Sequence, residues 1–384
     1  MADAYMYWLD TIEGLGKNTR KNLIQAFGSA KEVYEGRAKL VNCILEEKKQ
    51  ALFWEAKKKK DIYKEYEWML QEGIRMVTLY DEDYPEKLHY IPDEPFSIYC
   101  KGNLPKEDIP AVSIIGAREC SQYGEYVAAQ LGKCLGESGV QVISGMAKGI
   151  DGISQWEALQ AGGASFGVLG CGVDICYPKS NQKLYDKLLI KGGVLSSYPP
   201  KTMPMAKLFP PRNRIVSGLA DVLVVIEARR RSGTSITVEM ALEQGKDIYA
   251  VPGRVTDRLS DGCNKMIKEG AHVFLSPEDF VEDLKELLPQ KMERALLSRT
   301  GRILQKENMK NVIANNMGED DHLAKEILEV MDFYPRSIEQ ISELLYARFH
   351  REIRQEELSS KLMLMCLYGL IKQESGGWFS KNGR

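Results

Sequence analysis

Residues 221–251 have the sequence DVLVVIEARRRSGTSITVEMALEQGKDIYAV. Two apolar runs rich in β-branched residues, 221–226 and 247–251, enclose a loop with glycine and arginine and the amphipathic segment 235–244. Apolar strands that alternate with helices are typical of a parallel sheet covered by helices on both faces. The stretch therefore predicts a strand, a loop, a helix and a second strand parallel to the first.

The same pattern extends over most of the chain before and after this stretch. Further apolar runs occur at 112–116, 140–144, 166–170, 193–196 and 272–275, separated by amphipathic segments. We predict an α/β fold with an extended Rossmann-like parallel sheet. Residues 72–110 contain several prolines, and we expect them to form an irregular segment that leads into the sheet.

Two smaller regions flank the predicted sheet domain of residues 71–288. Residues 1–70 predict a helix-hairpin-helix or SAM-like domain, with a tight turn at Gly14-Leu15-Gly16. Such a turn can offer backbone N–H groups to a phosphate, and a plain helical turn fits the pattern equally well. A polar linker follows at 289–320. Residues 321–384 predict three helices and a hairpin, which is the order of a winged helix-turn-helix.

Composition and charge restrict the class of protein. The 384 residues carry a formal net charge of −2, so a nucleic-acid site must concentrate its positive charge locally. No apolar run approaches the roughly 20 residues that span a membrane, and MADAYMYWLD lacks the regions of a signal peptide. The eight cysteines form no CxxC pair, which predicts reduced thiols and a cytoplasmic location.

The loops that follow the predicted strands combine glycine with basic residues. They are Gly116-Ala117-Arg118, the loop 144–149, Gly170-Cys171-Gly172, the loop 227–234 and Pro252-Gly253-Arg254. In an open parallel sheet, ligands bind at the carboxyl ends of the strands. Glycine lets the backbone approach a phosphate closely, and arginine offers it two parallel hydrogen bonds. The loops therefore predict a crevice that binds phosphate groups.

A single mononucleotide or dinucleotide is the simplest ligand for such a crevice. Two stretches, KLFPPRNR at 207–214 and three consecutive arginines at 229–231, supply more positive charge than one nucleotide requires. Successive phosphates of a polymer do require that charge. Phe209 is a candidate for base stacking, and a position in the core fits this residue equally well.

Few residues are candidates for catalysis. The four histidines, at 89, 272, 322 and 350, lie outside the strand-end loops, and no Walker A, GxSxG, HExxH or metal-ligand cluster occurs. The carboxylates closest to the predicted crevice are Asp151, Asp174, Glu227 and Glu239. Helix capping or hydrogen bonding is a better explanation for them than general base catalysis. We predict no catalytic residue, no metal and no cofactor, which favours binding over catalysis.

Several segments resemble those of the DprA/Smf family of bacterial DNA-processing proteins. They are IIGAREC (114–120), VISGMAKGIDG (142–152), GVLGCGVDICYP (167–178), LSSYPP (195–200), FPPRNRIVSGLADVLVVIEA (209–228), SGTSITVEMALEQGKDIYAVPG (232–253) and CNKMIKEGA (263–271). The segments occur in the order that the family has, and DEDYPEKL (81–88) extends the match toward the N-terminus.

The resemblance implies a homodimer that binds single-stranded DNA, protects incoming DNA and helps to load the RecA recombinase in natural transformation. In the family, the DNA surface or its pocket includes the positions matching Arg118, Ser144, Gly145, Met146, Lys207, Phe209, Arg212, Asn213 and Arg214. To these the strand-end loops add Arg229, Arg230, Ser232, Gly233 and Thr234. The implied dimerisation segment includes Met266 and Ile267. Relatives usually carry Ala-His where this chain has Ser154-Gln155, so any role of that histidine is absent here.

The predicted third helix of the C-terminal domain is unusually apolar. Residues 363–365, 367 and 368 exceed one buried stripe, and the domain has nine Lys/Arg against ten Asp/Glu. This favours a protein or dimer contact over reading of a DNA major groove. The basic residues Arg348, Arg351 and Arg354 keep duplex binding open as an alternative.

An enzyme of the LOG-like phosphoribohydrolase class is the main alternative to a DNA-binding protein. Its PGGxGTxxE loop is partly similar to SGTSITVE at 232–239. The Gly-Gly pair is missing here, and Glu239 falls two residues late, so we regard this interpretation as the weaker one.

Overall fold

The computed structural model describes residues 3–59, 61–230, 232–297, 322–331, 336–367, 371–374 and 377–381. The chain forms two compact units, Met1–Arg299 and Thr300–Arg384. The boundaries expected at residues 70, 288 and 320 remain predictions. Most of the expected linker lies outside the described residues, and its first part, 289–297, is helical. Among the described residues, no helix has both the length and the apolar character needed to cross a membrane.

Six helices form the N-terminal part of the first unit. They are α1 (Ala4–Asp10), α2 (Lys17–Phe27), α3 (Ala30–Glu35), α4 (Ala38–Ile44), α5 (Glu47–Lys59) and α6 (Ile62–Gln71). Gly14, in the turn between α1 and α2, has a φ of 81°, which glycine adopts without strain. Trp8 and Phe53 pack edge to face with ring centroids 5.1 Å apart, and Phe96 from the sheet region joins their cluster. The helices and the sheet therefore share one buried apolar surface.

In the described part of the first unit, nine strands form a single sheet. They are β1 (Ile74–Thr78), β2 (Ser97–Gly102), β3 (Ala111–Ile115), β4 (Gln141–Ser144), β5 (Ser165–Val168), β6 (Gly192–Ser196), β7 (Val222–Val225), β8 (Asp247–Ala250) and β9 (His272–Val273). Their spatial order is β1-β2-β6-β5-β4-β3-β7-β8-β9, and the seven strands from β6 onward in this order run parallel. The predicted α/β fold with a large, mostly parallel sheet is confirmed.

The expectation of an irregular segment at 72–110 is wrong. This region contains β1 and β2, which pair with each other in antiparallel orientation, and β2 pairs antiparallel with β6. Its prolines lie outside both strands, at positions that donate no hydrogen bond to the ladder. The prolines therefore interrupt the connections and leave the strands intact.

Eight helices connect and cover the strands. They are α7 (Glu86–His89), α8 (Gln122–Glu137), α9 (Ile150–Gln160), α10 (Gln182–Lys191), α11 (Phe209–Gly218), α12 (Gly233–Glu243), α13 (Asp261–Lys268) and α14 (Pro277–Leu287). Neighbouring residues of β3, such as Ile114 and Ile115, belong to separate apolar clusters because side chains alternate between the two faces. On one face α8 and α9 approach closely, since a Cβ at Gly132 would lie only 2.3 Å from the carbonyl oxygen of Ser154.

The described residues of the second unit form three helices and a hairpin. They are α15 (His322–Val330), α16 (Ile338–Phe349), α17 (Gln355–Leu367), β10 (Ile371–Glu374) and β11 (Trp378–Lys381), with the two strands antiparallel. The elements occur in the order that the sequence suggests, and their assignment as a winged helix remains a prediction. On α17, Leu362 and Met365 are buried while Met363 and Leu364 are exposed. Tyr368, the last apolar residue expected on this helix, lies outside the described residues.

Candidate nucleic-acid interface

The order of the sheet reverses at β3, because later strands are added on one side as β4 and on the other as β7. Such a reversal separates the loops that leave the two strands and opens a crevice at their carboxyl ends. A cavity of about 540 Å³ lies there, between Gly116-Ala117-Arg118 and Ser232-Gly233-Thr234. We refer to this cavity as the crevice.

The crevice brings together many of the residues selected from the sequence. Those that line it are Arg118, Gly145, Phe209, Arg212, Asn213, Ser232, Gly233 and Thr234. Asp151, considered above only as a nearby carboxylate, and Tyr177, which was not selected, also line it. Tyr177 lies in the family-like segment 167–178, but the glycine pattern that marks the strand-end loop ends before it, at Gly172.

Arg212, on α11, is almost completely buried, with 5% of its surface exposed. Its Nη1 donates a hydrogen bond of 2.9 Å to the carbonyl oxygen of Gly145 and another to that of Val168, at the ends of β4 and β5. Burial lowers the pKa of the guanidinium to about 10, so the group stays charged at neutral pH. Its Nε has no hydrogen-bond partner in the described part of the chain. A buried cation with an unused donor is well suited to an anionic ligand.

Phe209 lies next to both arginines of the crevice. The Cζ of Arg118 lies 6.0 Å from the ring centroid of Phe209, and that of Arg212 lies 5.8 Å from it. A guanidinium over an aromatic ring is stabilised by about 0.5–1 kcal/mol where solvent has access. Arg118 itself is exposed. The ring thus lies beside one exposed cation and one buried cation.

Asp151 places a carboxylate in the same crevice. It accepts a hydrogen bond of 3.1 Å from the backbone N–H of Gly145. Burial raises the pKa of Asp151, and the positive charge of Arg212 opposes that rise. A Cβ at Gly145 would lie 2.7 Å from the Asp151 carboxylate and 2.8 Å from the Arg212 guanidinium. Only glycine leaves room for both groups.

The start of α12 supplies a second place for an anion. Its N-cap residue Ser232 makes no capping hydrogen bond, and the Oγ is buried without a partner among the residues described. The first backbone N–H groups of a helix lack intrahelical acceptors and lie at the positive end of its dipole. Gly233 and Thr234 bring this end of the helix to the crevice. Together with Arg118 and Arg212 it forms a concentrated positive surface.

Ser144 and Met146 were also expected at the crevice, but both side chains are fully buried. The backbone of Met146 has a φ of 53°, and Gln155 holds it there by accepting the Met146 N–H at 3.1 Å. The Nε2 of Gln155 donates to Ser165 and to the carbonyl oxygen of Phe166. Gln155, at the position where the family resemblance implies a histidine, therefore fixes the loop that presents Gly145.

Lys207 and Arg214 do not line the crevice. Lys207 is exposed and lines a second cavity of about 730 Å³, beside the turn between α1 and α2. Arg214 lines a third cavity of about 340 Å³, where its Nε donates to the carbonyl oxygen of Asp93 at 2.8 Å. Lys207 and Arg214 belong to the same segment as Phe209 and Arg212, but they line cavities beside the N-terminal helices.

The arginines after β7 lie beside the crevice. Arg229 lines a groove of about 250 Å³ that shares Arg118, Ser232 and Thr234 with the crevice. Arg230 is exposed, and Arg231 lies outside the described residues. The groove, which Glu119 and Glu227 also line, therefore carries arginine side chains past the limit of one cavity.

The turn between α1 and α2, considered above as a phosphate site, has an acidic neighbour. Lys17, the first residue of α2, contacts Asp93 and Glu94 at 3.0 Å each, and Lys21 contacts Glu94 at 2.9 Å. Burial acts to raise the pKa of Glu94, but hydrogen bonds from Lys21 and Lys17 outweigh it and lower the pKa to about 2. Lys17 and Lys21 of α2 are thus already paired with carboxylates of the protein itself.

The other carboxylates near the crevice accept hydrogen bonds from the chain itself. Glu227 is 1% exposed and accepts the N–H of Ser121 at 2.9 Å and its hydroxyl at 2.5 Å, at the start of α8. Asp174 accepts the N–H of Lys201 at 2.9 Å. Glu239 is exposed on α12 and does not line the crevice. In a dinucleotide-binding fold, the diphosphate binds at the N-terminus of a helix that follows a strand. Here the carboxylate of Glu227 occupies that position on α8.

The model of the family described as DNA recombination-mediator protein A matches residues 75–285. The chain belongs to this family. It is 40% identical over 208 residues to the DNA processing protein DprA of Streptococcus pneumoniae, a match that covers 54% of this chain and 73% of that protein. It is 36% identical over 217 residues to DprA of Bacillus subtilis, which covers 56% and 73% respectively. The matched residues include every element that lines the crevice.

Two solved structures of family members are similar to the protein. DNA processing protein A from Streptococcus pneumoniae aligns with a TM-score of 0.64 at 33% identity, covering 73% of this chain and 98% of that chain. DNA processing protein A from Helicobacter pylori, studied for its single-stranded DNA binding mode, aligns with a TM-score of 0.51 at 30% identity and covers 55% and 96%.

The depressed pKa of Glu94 predicts a pH-dependent contribution to stability. A carboxylate whose pKa falls from 4.5 to about 2 on folding stabilises the protein above pH 4.5 and loses that effect as the pH falls toward 2. Because the site is partly exposed, we expect Glu94→Gln to lower the free energy of unfolding by about 1 kcal/mol at pH 7. Denaturant unfolding at pH 7, 4 and 3 should show that the difference in free energy of unfolding between the wild type and Glu94→Gln becomes smaller as the pH falls. Glu82→Gln, at an exposed position, is the control, and a pH-independent difference would contradict the ion-pair explanation.

Proposed function

We propose that the protein is a recombination mediator that binds single-stranded DNA in the crevice. The observation that carries this proposal is the arrangement of Arg118, Phe209 and Arg212, which places two guanidinium groups and an aromatic ring at the switch point of the sheet. Each nucleotide of a single strand carries a phosphate and an unpaired base, and a crevice that offers both guanidinium groups and aromatic surface suits this ligand. Membership of the recombination-mediator family supports the same ligand.

A polymer fits this surface better than a single nucleotide. The crevice and the groove beside it share Ala117, Arg118, Ser232 and Thr234, so a ligand can continue from one into the other. Arg229 lies along the groove, and Arg230 is exposed on the same loop. Backbone N–H groups and arginines contact phosphates without regard to base identity, so we expect little sequence preference.

We further propose that the protein acts by binding rather than by catalysis. Asp151, Asp174 and Glu227 each accept a hydrogen bond from a backbone N–H, which gives all three a structural role. The LOG-like alternative is not favoured, because Glu239, the carboxylate of the partly similar loop, is exposed outside the crevice. Turnover of a nucleoside monophosphate that is lost in Glu239→Gln would restore that alternative.

Salt dependence tests the phosphate contacts. We expect the wild-type protein to bind a labelled single-stranded oligonucleotide in an anisotropy titration, with an affinity that falls steeply as salt rises. Arg118→Ala should weaken binding about tenfold at low salt and reduce the slope of log K against log salt by about 0.7. Lys133 is exposed near the C-terminal end of α8, whereas Arg118 precedes the start of this helix. Lys133→Ala should therefore change neither the affinity nor the slope.

Two results of that titration would contradict the proposal. The first is the absence of binding near micromolar protein, or a flat response to salt. The second is an unchanged affinity in Arg118→Ala, which would mean that DNA binds elsewhere. Unlabelled duplex as competitor measures the preference for single strands, and equal competition would remove the claim of single-strand binding.

We propose that the protein forms a homodimer through the segment that contains Met266 and Ile267. Both residues are only partly buried against the core, on a helix next to β9, the last strand of the sheet. Exposed Val273 and Leu275 follow them in sequence and add apolar surface. Such a patch supports a contact between copies.

Light scattering after gel filtration tests the dimer. We expect a dimer for the wild type and a monomer for Ile267→Lys, because a buried charge at an apolar interface is strongly unfavourable. Leu242→Lys, an exposed position on α12, should stay dimeric, and circular dichroism checks that each variant is folded. A monomeric wild type would disprove the dimer, and a dimeric Ile267→Lys would place its interface elsewhere.

We propose the RecA recombinase as the protein partner and the cytoplasm as the place of action. The family description as a recombination mediator supports the partner, and eight free cysteines are compatible with a reducing compartment. We expect the protein to accelerate RecA filament assembly on single-stranded DNA, and Arg118→Ala to lose that effect. Unchanged assembly rates with the wild type would exclude the role in loading RecA.

For the second unit we propose a protein contact rather than reading of duplex DNA. Arg348 lies 3.3 Å from Glu329 and Arg351 lies 2.9 Å from Glu326, so these arginines are already paired. Met363 and Leu364 leave apolar surface on α17. Duplex binding that is lost in Arg354→Ala would contradict this proposal.

A further inference from the structure

Two aromatic rings, those of Tyr177 and Phe209, line the crevice. Their centroids are 5.4 Å apart and their planes are tilted by 44°. Tyr177 comes from the loop after β5, whereas Phe209 begins α11. A base of a bound strand can stack only on a ring whose face is not covered by other groups, so the surroundings of each ring decide where a base stacks.

The surface of Phe209 is already used by other groups. A Cβ at Gly170 would lie 2.8 Å from its Cδ1, so the ring rests against the backbone of the loop after β5. The guanidinium groups of Arg118 and Arg212 lie over the ring at 6.0 and 5.8 Å. Phe209 is half-buried as a result. These contacts suit a residue that positions the two cations.

Tyr177, in contrast, presents free aromatic surface. Its side chain belongs to the lining of the crevice and the residue is 43% exposed. Its only ring contact among the described residues is the tilted one with Phe209. Every nucleobase has a face that can stack on such a ring.

We propose that Tyr177 is the residue on which a nucleobase of the bound strand stacks, and that Phe209 positions Arg118 and Arg212 for the adjoining phosphate. This inference rests on the proposed binding of single-stranded DNA and divides the crevice into two functions. The arginines act on the backbone and are sensitive to salt. Tyr177 acts on the base and is insensitive to salt, because stacking releases no counterions.

The division can be measured with two oligonucleotides of equal length, one of deoxythymidine and one with abasic sites in place of the bases. We expect Tyr177→Ala to weaken binding of the thymidine strand by roughly 5- to 100-fold and to leave the abasic strand unchanged. Tyr177→Phe, which keeps the ring, should bind both strands as the wild type does. Tyr126→Ala removes a tyrosine that is 65% exposed on α8 outside the crevice, and should change neither affinity.

Phe209→Leu provides the complementary variant. It keeps apolar volume but removes the ring under the guanidinium groups, so we expect it to weaken both strands and to reduce the salt slope. A strand that carries 2-aminopurine adds a direct readout, because its fluorescence should be quenched on the wild type and on Tyr177→Phe but not on Tyr177→Ala. Tyr177→Leu, which keeps apolar volume beside Phe209, replaces Tyr177→Ala if circular dichroism shows that the latter is unfolded.

Three outcomes would overturn the inference while leaving the proposed function intact. They are wild-type affinity in Tyr177→Ala, an equal loss on the thymidine and abasic strands, and a loss in Tyr177→Phe as large as in Tyr177→Ala. A wild-type protein that binds neither strand would instead overturn the proposed function, and the stacking role with it.

Discussion

The crevice depends on one buried cation. Arg212 is enclosed at the ends of β4 and β5, where its hydrogen bonds satisfy the carbonyl groups of Gly145 and Val168. Removal of a charge from water costs several kcal/mol, which charged, polar or aromatic neighbours must offset. The carboxylate of Asp151, the absence of a side chain at Gly145 and the ring of Phe209 meet this requirement. The same residues form the walls of the crevice, so its shape follows from the need to accommodate one guanidinium group.

A protein with a net charge of −2 can still present a positive surface if its other cations are neutralised. Lys17, Lys21 and Arg214 are all close to Asp93 or Glu94, where the helical region meets the sheet. Their charges therefore add little to the field outside the molecule. Arg118, Arg229 and Arg230 remain exposed on the loops that follow β3 and β7. The internal ion pairs thus remove three cations from the outer field, while the three arginines contribute to it at one edge of the sheet.

Sequence patterns were sufficient for the parallel sheet, because each of its seven strands is an apolar run and each is followed by a turn or a helix. They missed β1 and β2, which are short and lie in a region, 72–110, that contains several prolines. For the site, patterns identified which loops converge, since the carboxyl ends of parallel strands share one edge. They could not give the direction of individual side chains: Arg212 and Arg214 are two residues apart on α11, yet one faces the crevice and the other faces Asp93. Tyr177 lies nine residues beyond β5, in a loop whose path depends on tertiary contacts such as that of Asp174 with Lys201.

The position of β2 also has a consequence for synthesis on the ribosome. β2 can pair with β1 as soon as both have emerged, but its other neighbour, β6, begins about 90 residues later in the chain. At ~5–20 residues per second, translation of that interval takes about 5–20 s. During this time the nascent hairpin exposes an unpaired edge, which is the feature that promotes aggregation of strands from different chains. The hairpin of β1 and β2 is therefore the first part of the sheet to be made, its free edge stays unpaired until β6 emerges, and slow translation would lengthen the period in which it is vulnerable.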